Sequence, residues 1–214
     1  MSAPPPSTPA HTAAVLARAR QGDEPARDAL FAGAVPPLLT YVRVRLGDRL
    51  RSKVEPLDVV QDTFAAALPA LADFEAQGPG SFLAWLCRIA ERQIAGLADH
   101  FDAKKRRPRG EATPWSAIAT RLVAGGTAPG SVAARRDEHD RLEAALAALG
   151  DDERAVVLLH FFEERPLRQV AAALGLSTTT AHRLVGRATA RLGALLAQAH
   201  GATDERGAPP ASST

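Results

Sequence analysis

Three threonines, Thr178, Thr179 and Thr180, directly follow Ser177, and Arg183, Arg187 and Arg191 come after them at four-residue intervals. In a helix that spacing stacks the arginines along one side, while Ala181, Leu184, Val185, Ala188 and Leu192 fall on another. Guanidinium groups and hydroxyls in such a row are donors for phosphate oxygens and base edges. Arg183 and Arg187 suit bidentate contacts to guanine or phosphate, His182 and the threonines suit phosphates or base edges, and Arg191 is placed to face the backbone. Upstream, Pro166 opens a shorter helix with Leu167, Val170, Ala171 and Leu174, which Gly175 and Leu176 end, and Ser177 caps the next. A helix, a tight glycine turn and a capped helix with hydroxyls and arginines at its front is the arrangement by which a recognition helix enters the DNA major groove. An arginine stripe alone is an ordinary solvated surface; its coincidence with the capped turn and the hydroxyl cluster favours DNA binding.

Other chemistries find little support. His11, His100, His139, His160, His182 and His200 are scattered without the i, i+4 pairing or the neighbouring-carboxylate pattern of a metal or acid–base site, and no phosphate-binding glycine motif occurs, so neither catalysis nor a metal site is expected. The single cysteine, Cys87, cannot form an internal disulfide or a cysteine-based zinc site. No cofactor is expected. A net charge of +2 from 26 basic and 24 acidic residues does not announce nucleic acid, so any basic signal is local. The run KKRRPR at 104–109 is such a cluster and suits nonspecific phosphate contact. No apolar run approaches the roughly 20 residues of a membrane-spanning helix, and the start MSAPPPSTPAHT lacks the pattern of a signal peptide, so a cytoplasmic protein is expected.

These side chains must be positioned by helices. In 214 residues that are 46% hydrophobic, alanine and leucine dominate, isoleucine is confined to Ile89, Ile94 and Ile118, and aromatics are 5%. That composition favours helices over strands. The expected fold is all-α, with two small helical domains joined by a flexible linker, the second ending in the helix-turn-helix. Residues 1–11 and 200–214 read as disordered tails, 12–107 and 135–199 as the domains, and 108–134, rich in proline and paired glycines, as the linker. Within the linker, Trp115–Val123 has the spacing of a short docked helix. In the first domain Gly22, Asp23 and Pro25 mark a helix stop, an N-cap and an early helical proline, and a long helix through Leu38, Leu39, Val42 and Leu46 ends at Gly47. Pro56 starts another, with Val59, Val60, Phe64, Ala67, Leu68 and Leu71 at helical period and Asp58, Gln61 and Asp62 on a different face. After the loop Phe74–Gly80, Ser81 is placed to cap a fourth helix carrying Phe82, Trp85, Leu86 and Ile89, with Trp85 read as core.

RQVAAALGLSTTTAHRLVGRATARL resembles the promoter-binding helix-turn-helix of bacterial sigma factors, and LGDDERAVVLLHFF resembles the helix before it. ARQGDEPARDALF, PLDVVQDTF and GSFLAWLCRIA, in that order, are similar to the first domain of the small extracytoplasmic-function (ECF) sigma factors. The resemblance implies a non-enzymatic factor that joins core RNA polymerase, directs it to promoter DNA and helps open the duplex, with an anti-sigma factor as a possible further partner. It places Asp58, Val59, Gln61 and Asp62 on the polymerase clamp. It places the loop Phe74–Ser81 where a flipped base of the minus-ten element is captured, with Phe74 and Gln77 as candidate contacts and Ser81, Arg88 and Arg92 beside them. It places Thr178, Thr179, Thr180, His182, Arg183 and Arg187 on the minus-35 element. This chain departs from the family pattern at Thr178, Thr179, Leu184, Gly186 and Arg92. The competing reading is an operator-binding regulator whose first domain is a helical sensor or dimerisation module. The first domain discriminates between the two.

Overall fold

The computed structural model describes the backbone of residues 9–103 and 129–207, and the side chains of 13–98, apart from 48 and 49, and of 137–199. The KKRRPR run and Trp115–Val123 lie outside the described residues. Among the described residues there is no strand. No described helix is long and apolar enough to cross a membrane.

Helix α1 (Pro9–Arg20) is broken from α2 (Glu24–Arg51) at Gly22, whose φ of 88° turns the chain. Asp23 then caps α2, accepting a hydrogen bond from the Ala26 amide at 2.9 Å and pairing with Arg18 at 2.6 Å. The Ala26 amide first, and then Arg18, hold the Asp23 carboxyl below the usual carboxylate range. Helix α2 runs on through Pro36 and Pro37, although each lacks the amide a helix interior uses, until Gly47 adopts φ 61° and kinks it. Packing carries the chain past the prolines, because Phe31, Leu38, Tyr41 and Val42 from this one helix are all fully buried. Helix α3 (Pro56–Ala67) has a proline in its first turn and ends in a short turn, Leu68–Ala70. A loop follows, and α4 (Ser81–Ala103) closes the first group. Its core is aromatic: Phe31 meets Phe64 and Phe82 edge to face at 4.9 and 5.4 Å, and burying each ring contributes about 1.5–3 kcal/mol.

The second group holds α5 (Pro129–Ala147), α6 (Asp151–Val157), a wide π turn (Leu158–Phe162), α7 (Leu167–Ala173) and α8 (Thr178–Gly207). Three bounds differ from the sequence reading. Helix α1 begins inside the segment read as a tail, α5 begins inside the segment read as linker, and α8 extends past 200 to Gly207. The core here is aliphatic and smaller, made of Leu146, Leu149, Val156, Val157, Val170, Leu184 and Ala188. The two groups also pack against each other. Leu158 belongs to the first core, Val44 and Phe162 touch both, and the rings of Tyr41 and Phe162 lie 5.8 Å apart.

Candidate nucleic-acid interface

Gly175, at φ 66°, lets the Leu176 amide reach back to the Ala171 carbonyl at 2.8 Å, ending α7 in a left-handed turn. Ser177 Oγ then accepts from the Thr180 amide at 3.1 Å and shares a 2.8 Å hydrogen bond with the Thr180 hydroxyl, so the capping expected from the sequence is present. Thr178, Thr179, His182 and Arg183 are exposed, and Thr180 is half-buried. Arg187 is also mostly exposed, but its Nε donates to Glu153 Oε1 at 2.9 Å, and Arg191 Nη1 donates to Glu153 Oε2 at 3.2 Å. The Glu153 side chain is only 7% exposed. A carboxylate taken out of water needs such partners, and it fixes the azimuth of two arginines on the α8 surface. Sequence reasoning missed this role. Its partners lie 34 and 38 residues away and leave no local signal.

On α3, Val59 joins Val60 and Phe64 in the core, while Asp58 and Asp62 are exposed and Gln61 is half-buried. Partial burial first, and then the like charge of Asp58, push the Asp62 carboxyl up from its ordinary value.

The loop before α4 rests on aromatic packing. Phe74 is buried, its ring 4.7 Å from Trp85 and 5.8 Å from Phe82, while Gln77 is exposed. Ser81 does not cap α4 as its position suggested. Its hydroxyl accepts from the Gln77 amide at 3.2 Å and donates to the Gly78 carbonyl at 2.7 Å, closing the loop on itself, and the Gly80 carbonyl begins the helix by accepting from the Ala84 amide. Gly78 and Gly80 sit at φ 137° and 88°, a region only glycine enters without strain. An apolar groove of about 610 Å³, lined in part by Leu30, Gly78, Pro79, Gly80 and Phe82, adjoins the loop. Two and three turns further along α4, Arg88 and Arg92 are exposed, and Arg88 Nη1 donates to the main-chain carbonyl of Glu163 at 2.8 Å.

The family model for Sigma-70 region 2 matches residues 34–107, and that for Sigma-70, region 4 matches residues 139–192. RNA polymerase sigma factor CnrH of Cupriavidus metallidurans is 36% identical over 144 residues, which are 65% of this chain and 72% of that protein. ECF RNA polymerase sigma factor SigD of Mycobacterium tuberculosis is 30% identical over 171 residues, 80% of this chain and 76% of that one. A solved structure of CnrH in complex with the cytosolic domain of CnrY is 30% identical, with 86% of this chain and 96% of that chain covered and a TM-score of 0.42. The region 2 match falls on the part of the chain that an operator-binding regulator would use for sensing or dimerisation. With both regions present in order, the chain belongs to the ECF group of bacterial RNA polymerase sigma factors, which bind core polymerase and direct it to promoter DNA.

Proposed function

We propose that three surfaces of this sigma factor divide the work of initiation. Asp58, Gln61 and Asp62 on α3 engage core polymerase, with Val59 behind them in the core. The loop Phe74–Ser81, with Arg88 and Arg92, receives the opened minus-ten strand. Extruding a base costs a few kcal/mol, which stacking and edge contacts must offset. Gln77 supplies an exposed amide for that purpose, and Phe74, packed on Trp85, supports the loop from beneath. In the second unit, α8 reads the minus-35 element through Thr178, Thr179, His182 and Arg183, with Arg187 set by Glu153. We assign the first role to residues 12–107 and the last to 135–199. CnrH is bound by the cytosolic domain of CnrY in its solved structure, and an anti-sigma protein is part of the reading for this chain.

The observation that carries the reading is the Ser177-capped α8, whose exposed front is polar and cationic while its back fills the second core. In vitro transcription with core polymerase on a genomic promoter library tests it. The expected result is initiation at a set of promoters sharing two elements, lost on Asp58→Arg with Asp62→Arg because core polymerase no longer copurifies. Unchanged polymerase binding by that folded double variant overturns the α3 assignment.

A further inference from the structure

Helix α8 carries a glycine where its outward surface has most to contact. Gly186 is exposed, and beyond the helix's own backbone no described atom lies within 4 Å of the point where its Cβ would stand. It is not one of the glycines at positive φ, so neither conformation nor crowding within the described chain calls for it. Glycine is a poor residue for a helix interior, and alanine there would form helix better. Open space alone decides nothing, since Gly33, Gly96 and Gly193 have it too. The position of Gly186 on α8 does.

Residues two apart on a helix point about 200° from each other, so Gly186 points away from Leu184 and Ala188, both buried in the second core. Thr179, His182 and Arg183, all exposed, stand one and two turns before it on that outward side, and Ala190 stands one turn after. The side chains on either hand are drawn off. Arg187 and Arg191 are turned onto Glu153, Val185 packs against the second core, and the Thr189 hydroxyl donates to the Val185 carbonyl at 2.8 Å. Bare backbone is therefore what α8 presents at the centre of the face that carries Thr179, His182 and Arg183. A helix with its side chains is about 10–12 Å across and the major groove about 12 Å wide, so side chains on the outward line set how deep a helix seats.

We propose that Gly186 is a specificity-determining position of the minus-35 surface: its missing side chain lets α8 seat deeply enough for His182 and Arg183 to reach base edges instead of stopping at phosphates. The inference rests on the reading of α8 as the minus-35 helix. The glycine supplies clearance rather than a contact, and any larger residue lifts the two donors from the groove floor. Sequence preference then suffers more than total affinity, because long side chains still reach phosphates from a raised helix and no longer reach bases.

The test uses the full chain assembled with core polymerase, on a promoter recovered from the library transcription and on the same promoter with its minus-35 element scrambled. The quantity read is the ratio of the two affinities. Gly186→Ala is expected to lower that ratio about tenfold and Gly186→Leu about a hundredfold. The melting temperature of each free variant is expected to equal or exceed the parent's, because both residues form helix better than glycine. Ratios that stay at the parent's value overturn the proposal. So does a ratio that falls together with the melting temperature, since the glycine would then serve the fold. Arg183→Ala with His182→Ala separates the underlying reading. If that double variant loses the ratio while the glycine variants keep it, α8 reads the element and the clearance is wrong; if it keeps the parent's ratio, the α8 reading falls and the clearance with it.

Discussion

The two helical units stiffen the surfaces we assign to nucleic acid by opposite means. The first builds its surface on a loop and supports it with rings: Phe74, Phe82 and Trp85 lie in mutual contact and continue through Phe31 to Phe64. The second has an aliphatic core of modest size and presents its surface on a helix, with one buried carboxylate, Glu153, governing two arginines. A loop has no backbone ladder to fix it, so apolar bulk must do so from below. A helix is already regular and needs only its side chains aimed.

That contrast is open to direct attack, and the largest effect belongs to the aromatic side. Phe31→Ala deletes a ring in contact with both Phe64 and Phe82, and should cost about 3–5 kcal/mol in denaturant unfolding of the full chain. A loss under half of that would mean the rings are not what supports the first unit. Glu153→Ala comes next. It should cost about 1–3 kcal/mol in stability and also weaken minus-35 duplex binding, since it releases Arg187 and Arg191 together. Arg183→Ala should leave the melting temperature near the parent's and cost about 1–3 kcal/mol in minus-35 binding alone, with relaxed preference if the contact is to a base. If Glu153→Ala binds as well as the parent, α8 needs no aiming and the contrast fails on that side.

Smaller effects sharpen the loop side. Ser81→Ala removes the hydroxyl that ties Gln77 to Gly78 and should cost about 0.5–1.5 kcal/mol, seen as fewer permanganate-reactive thymines in the promoter bubble with polymerase binding retained. The smallest is a pH effect at the α1–α2 turn. Because Asp23 titrates below its unfolded value, its contribution is complete above about pH 3.8 and is lost as the pH falls through the folded-state value. Asp23→Asn should therefore lower the neutral plateau of a stability–pH curve slightly and leave its acid end nearly unchanged.

What could be read from the sequence was what neighbours in the chain decide. Asp23 and Ser177 cap as expected, since a cap answers to amides two or three residues away. The all-helical class, the aromatic α4 face and the arginine-bearing α8 follow from composition and period. Ser81 looked equally good as a cap, but the loop's own carbonyl and amide compete for its hydroxyl. Phe74 is a candidate base contact on the resemblance alone, and only the folded chain brings Phe82 and Trp85 against it. The role of Glu153 and the hydrogen bond from Tyr41 to Glu163 depend on partners 34 to 122 residues distant, and no periodicity encodes those.

The π turn bears on what lengths this chain can tolerate. Through Leu158–Phe162 the hydrogen bonds widen, with the Glu163 amide reaching Leu158 five residues back and the Arg165 amide reaching Leu159 six back. Such a turn holds one residue more than an α-helical turn spanning the same gap. Removing one residue there would let an ordinary helical turn span the same gap, so the chain beyond it would keep its direction. A single-codon deletion in this stretch should thus be better tolerated than one in the regular turns of α6, where it would rotate everything that follows by about 100°. Related chains one residue shorter at this point can therefore keep the same packing between their halves.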